Sequence, residues 1–148
     1  MKKLLVVLAL SLFTFLDSSA QVEYKVVTSV ESIVPSGLGR SRIISANEKK
    51  DYKEFTTTQT EEDNTRNKSK RDEIRVKGFD ETKLLNFFNI AGIRFQNIAA
   101  NDAIIESKIN TMITEGWELA FVTSAVESAG KGDNQGIFIT RYIFKRNK

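Results

Sequence analysis

Between Pro35 and Ile44 the chain reads PSGLGRSRII, with Gly37, Gly39, Arg40 and Arg42 crowded into six residues. Side-chain-free backbone amides followed by guanidinium groups are what a bound phosphate or carboxylate needs. Two nucleotide readings fail on detail. A Walker-type loop is longer and closes in Lys-Ser or Lys-Thr at the start of a helix, and a dinucleotide loop needs a third glycine where Arg42 stands. Ile43-Ile44-Ser45 continues as a strand would. What survives is a simpler anion site. If residues 40–45 are extended, Arg40 and Arg42 leave the same side of the strand, Gly37 and Gly39 add amide donors, and Arg94 and Arg141 are candidates to join them. The competing reading is a turn that feeds a solvated edge.

The other reactive side chains narrow the field further. The chain has no histidine and no cysteine. Nucleophile–histidine systems and Cys/His zinc sites are therefore excluded. A carboxylate pair could still act as acid and base, but most acidic residues fall in the polar stretch 60–73 or on expected solvent faces. Glu115 and Glu118 flank Trp117 yet belong to a helix end and a strand, which aim them apart. Asp102 suits the first turn of a helix. The segment Gly132 to Gly136 is too short for an EF-hand calcium loop. The reading assigns no catalytic residue, no metal and no cofactor.

Residues 1–20 have the grammar of an export signal. Lys2 and Lys3 precede an uncharged run, Leu4 to Leu16, of about 13 residues, and Ser18-Ser19-Ala20 supplies the small residues of a cleavage site. The run is short of the roughly 20 residues of a membrane span, so cleavage after Ala20 and no lasting membrane anchor are expected. Without cysteine neither a lipid anchor at the cut nor a disulfide can form. The expected compartment is the periplasm or the exterior, and the expected unit is one domain over residues 21–148. The net charge of +3 is spread through both signs, which gives no clustered basic face for nucleic acid.

The elements that must position these residues follow from periodicity. Gln21 to Val34 alternates, with Val22, Tyr24, Val26, Val30 and Val34 on one side and Glu23, Lys25, Ser29 and Glu31 on the other. Arg40–Ser45 and Tyr52–Gln59 are weaker strand candidates. Thr60 to Glu73 has no aliphatic or aromatic residue and reads as a mobile polar loop. Its Arg66, Lys68, Lys70 and Arg71 are cancelled by flanking acids. In Phe79 to Phe95, Asp80 could cap a short helix carrying Leu84, Leu85, Phe87 and Phe88, closed by Gly92. The main amphipathic helix is expected at 101–115. Asn101 would be its N-cap, Ile105, Ile109, Met112 and Ile113 its apolar arc, and Gly116 its left-handed C-cap. Two closing strands follow. The first would place Trp117, Leu119 and Phe121 on one face. The second would place Ile137, Ile139 and Ile143 on one face and Phe138, Tyr142 and Phe144 on the other. A last strand apolar on both sides suits a position covered from both. The expected fold is α+β, an antiparallel sheet of about four or five strands with one helix on one face. Something further, the 79–95 segment or a second chain, must cover the other.

Three short motifs occur in order: Tyr24 to Val27 (YKVV), Gly116 to Ala120 (GWELA) and Phe144 to Arg146 (FKR). The pattern resembles the bacterial family known as domain of unknown function 4177, here as an exported, expanded relative with a long stretch between Val30 and Asn101 that the likeness does not reach. Ala120 stands where that family commonly has valine. The resemblance implies a small antiparallel sheet with one packed helix and implies no chemistry. Trp117 and Gly116 have structural readings of their own, a tryptophan packing back onto the helix that the glycine ends. The functional expectation is a non-catalytic domain that binds a protein partner or assembles with itself as a homo-oligomer. The alternative is an anionic-ligand module using Arg40 and Arg42.

Overall fold

The protein is described by a computed structural model over residues 21–33, 41–89, 91–127 and 136–148. In chain order the elements are β1 (Val22–Ser32), β2 (Arg42–Ala46), a 3-10 turn (Tyr52–Phe55), α1 (Arg71–Ile74), β3 (Phe79–Lys83), β4 (Phe88–Asn89) and β5 (Gly92–Ile93). The helix α2 (Phe95–Thr114) and the strands β6 (Glu118–Glu127) and β7 (Ile137–Asn147) complete the chain. Five strands form one antiparallel sheet in the order β3-β2-β1-β7-β6, so β1 lies at its centre, and β4 and β5 form a separate hairpin. The fold is thus α+β, one main helix on a five-stranded sheet. Among the described residues no helix is long and apolar enough to cross a membrane.

The core lies between α2 and one face of the sheet. Val27, Ile43 and Phe144 rise from β1, β2 and β7 to meet Met112 and Trp117, with Ile104, Ile105 and Ile109 packed against them. Ile113, expected in the same arc, is 52% exposed. The helix ends in a Schellman motif. Gly116 takes φ 84°, its N–H bonds the Ile113 carbonyl at 2.9 Å, and the Trp117 N–H bonds the Met112 carbonyl at 3.0 Å. That last bond folds the Trp117 ring back beside Met112 in the core.

Several local expectations give way to pairing elsewhere in the chain. The helix starts at Phe95, not Asn101, because Asn101 spends its side chain on other groups, as described below. Phe79–Lys83 is not a capped helix but a strand, drawn out by the free edge of β2. Gly92 turns the β4–β5 hairpin at φ 109° instead of closing a helix. Tyr52–Gln59 is no strand. Both edges of β2 are already occupied by β1 and β3, and the Asp51 carboxylate instead accepts from the Lys53 N–H to start a 3-10 turn. The polar stretch 60–73 holds only the start of α1 as regular structure.

The largest correction concerns β6. Leu119 lies opposite Phe144, but Phe121 lies opposite Ile143, so Ala120 is an extra residue in a β-bulge. The alternation shifts by one at that point. Leu119 stays on the helix side while Phe121 passes to the other face, and Val122 passes to the helix side opposite Tyr142.

Candidate functional site

Of the residues proposed for anion binding, Gly37, Gly39 and Arg40 lie outside the described residues, as do residues 1–20 and 128–135. Arg42 is placed, and it is engaged. Its Nε sits 2.7 Å from Glu81 Oε1 across the β2–β3 ladder, and its Nη1 donates to the Ser41 carbonyl. Arg141 shares its side of the sheet, for Arg42 is opposite Val30 and Arg141 opposite Thr28. Arg94 stands instead at the start of α2.

Under the helix lies a polar group that residue types did not reveal. Asn101, fully buried, sits in the middle of α2. Its Oδ1 accepts from the Leu85 N–H at 2.8 Å, and its Nδ2 donates to the Leu85 carbonyl at 2.8 Å and to Glu31 Oε1 at 2.7 Å. The amide thus pairs with one residue as a neighbouring strand would, and ties the segment after β3 to the helix and to β1. Glu31 is 6% exposed. Burial pushes its carboxyl above the ordinary glutamate range, the Asn101 amide opposes this, and the Asp102 charge adds to it. Burial likewise raises the Tyr142 hydroxyl on β7. The cluster is a clamp. Its carboxylate accepts from the Asn101 amide. Among the described residues no group of three or more acidic, histidine or cysteine side chains could hold a metal ion.

Trp117 closes the far end of the core. The Arg146 guanidinium lies 4.2 Å from its ring centroid, a cation–π contact. Arg146 also bonds Glu23, whose second oxygen takes Lys49 at 3.2 Å. Those two partners hold the Glu23 carboxyl below its ordinary value. The position of Trp117 here is that of a packed core residue with a charged lid.

Among the described residues the opposite face of the sheet has no such cover. The β1 alternation is real, but its polar side, Val27, Ser29 and Glu31, is the side beneath the helix. Its apolar side is open: Val22, Tyr24 and Val26 are 42%, 64% and 46% exposed. The ladders extend that side into a row across all five strands. Phe79 is opposite Ala46 on β2, Val26 is opposite Ile143, and Ile143 is opposite Phe121. Ala46 reaches Val26 one step beyond the Ser45–Val27 pair. Phe79 and Phe121, at the two ends of the row, are 49% and 61% exposed. Below the row, Ile44 is open and Val30, Ile137 and Ile139 are half-buried. The sequence pattern contained the β1 half of this surface. The bulge that delivers Phe121 to it left no sign in the alternation.

No protein-family model, no curated protein and no solved structure matches the chain.

Proposed function

We propose that the chain is an exported, non-catalytic domain that works by binding protein through the open face of its sheet. One observation carries the reading. A contiguous apolar row, Phe79 to Phe121, crosses all five strands on the face opposite α2, which no helix covers among the described residues. Contiguous exposed apolar patches larger than a few hundred Å2 mark interaction surfaces. Export rests on Lys2-Lys3, the run Leu4 to Leu16 and Ser18-Ser19-Ala20. The likeness to the family of unknown function adds a fold and no reaction. Paired substitutions on the open face, Val26→Lys with Phe121→Arg, should leave cooperative unfolding in place. On native electrophoresis of its own exported fraction the native protein should run in larger complexes, and the paired substitutions should abolish them. A variant that melts like a core mutant, or complexes that persist, overturns the reading. Export itself is checked by N-terminal sequencing, and a chain that still begins at Met1 overturns it.

A second reading, an anionic-ligand module, draws support from Arg42 and Arg141 standing on one face. Glu81 already neutralises Arg42, so the first reading is preferred. Titration of the native chain and of Arg40→Ala/Arg42→Ala with sugar phosphates tests it, and identical isotherms remove it.

A further inference from the structure

We infer that the partner on this face is a second copy of the same chain, packed sheet on sheet about a two-fold axis that runs along β1. The inference rests on the reading of the open face as an interaction surface. Its ground is the symmetry of that face. The strand order β3-β2-β1-β7-β6 has β1 at its centre, so a two-fold axis parallel to β1 brings strand over strand. β1 meets its own copy, β7 meets the partner's β2, and β6 meets the partner's β3. Such a contact is isologous and closes on itself, and aligned sheets pack about 10 Å apart with strand directions within about 30°.

The side chains suit that operation. Read from β3 to β6 the row is Phe79, Ala46, Val26, Ile143, Phe121. Turned about β1, Phe121 lies over Phe79 of the partner subunit. Val26 lies over the partner's Val26. The large Ile143 lies over the small Ala46 of the partner subunit. Aromatic meets aromatic at both rims, and large meets small between them. The next row reads Glu81, Ile44, Thr28, Arg141, Thr123. It sets Arg141, which has no ion pair among the described residues, over the partner's Ile44, one strand from Glu81 of the partner subunit. On the outer strand Ala125 comes over Lys83 of the partner subunit, and Glu127 follows two residues further, just past the end of the partner's β3. Charges of opposite sign therefore meet at the rim. Five strands about 4.8 Å apart, with β1 about 35 Å long, give a footprint on the order of 700 Å2 per copy, near the roughly 800 Å2 of a standard stable interface.

Edge pairing is the other way two such sheets could join, and β6 guards against it. Its ends are Glu118 and Glu127. An antiparallel pair of β6 strands in full register would set each glutamate against the other, and like charges placed opposite are destabilising.

The absence of cysteine makes a clean test possible. In the purified exported chain, light scattering after size exclusion should give twice the chain mass. Val26→Lys/Phe121→Arg should give one chain mass with a thermal midpoint in dilute solution within a few degrees of the parent. Val26→Cys, the only thiol, lies on the two-fold axis and should cross-link to its own copy with a short bis-maleimide, whereas Glu106→Cys on α2 should not. A parent that stays monomeric at high concentration overturns the self-pairing. If the Val26→Lys/Phe121→Arg variant still loses its native complexes in that case, the interaction reading stands with a different partner. A dimer that survives the double substitution, or cross-links equally from residue 106, places the contact elsewhere and overturns the two-fold packing. A double variant that unfolds overturns both readings, because the face is then part of the chain's own core.

Discussion

The two faces of one sheet follow opposite rules. Beneath α2 the sheet is mixed in character, with Val27, Ile43 and Phe144 standing beside Ser29, Glu31 and Ser45, and yet all six are buried. On the other side Val26, Tyr24 and Phe121 are open, beside Thr28, Arg42, Glu81 and Arg141. Polarity therefore does not decide which face a helix covers here. Several polar groups of the covered face have designated partners, although the Ser45 hydroxyl is buried without one among the described residues. Asn101 serves Leu85 and Glu31, and Ser124 and Thr140 bond one another at 2.9 Å. The charged groups of the open face stay partly exposed, as in the Arg42–Glu81 pair, and need no buried partner.

Substitutions can break or sharpen this contrast. The largest effect belongs to the covered face: Phe144→Ala, which removes a fully buried ring, should cost about 3–5 kcal/mol, read by denaturant unfolding. Trp117→Ala should act in the same range, and a melting temperature left unchanged by it would break the description of that ring as core. Next comes Asn101→Ala, which strands the Leu85 N–H and carbonyl and the Glu31 carboxylate. A loss of about 1–3 kcal/mol is expected. Gly116→Ala forces a side chain into φ 84° and should cost about 1–2 kcal/mol. Glu31 adds a pH signature. Its carboxyl is raised above 4.5 by burial, so the folded state holds the proton more tightly than the unfolded state. This contribution is full below that value and is lost as pH rises through the folded pKa. Melting temperatures taken from about pH 4 to about pH 8 should therefore decline more steeply in the parent than in Glu31→Gln. Parallel curves would show that the clamp does not sense the charge. The smallest effect belongs to the open face. In dilute solution Phe121→Ser should change stability by less than about 0.5 kcal/mol, and a larger loss would erase the distinction between the faces.

Much of the architecture was legible in residue order. The β1 alternation, the closing hairpin of strands and the glycine that ends the main helix all came from local chemistry. The same local chemistry misread Asn101. An asparagine ahead of an apolar period reads as a cap, because its amide usually satisfies the nearest backbone donors. Here the donor it satisfies is Leu85, 16 residues away, and no spacing rule reports a partner at that distance. Phe79–Lys83 failed for a related reason. Asp80 carries a helix-start signal, but the strand exists only because β2 offers an edge. The choice of buried face on β1 was out of reach because it depends on where α2 docks. Among the candidate anion residues, Arg42 was placed on a strand as expected, and its ion pair with Glu81 depends on the β2–β3 register, which the sequence does not spell out.

The extra residue at Ala120 divides β6 into two sections with separate obligations. Up to Leu119 the strand answers to Trp117 and Phe144. From Phe121 onward it answers to whatever lies across the open face. A residue gained or lost at the bulge would exchange every inward side chain of the outer section for an outward one. Ala120 thus acts as a frame marker: a single alanine of no chemical distinction determines which message the following seven residues of the strand display.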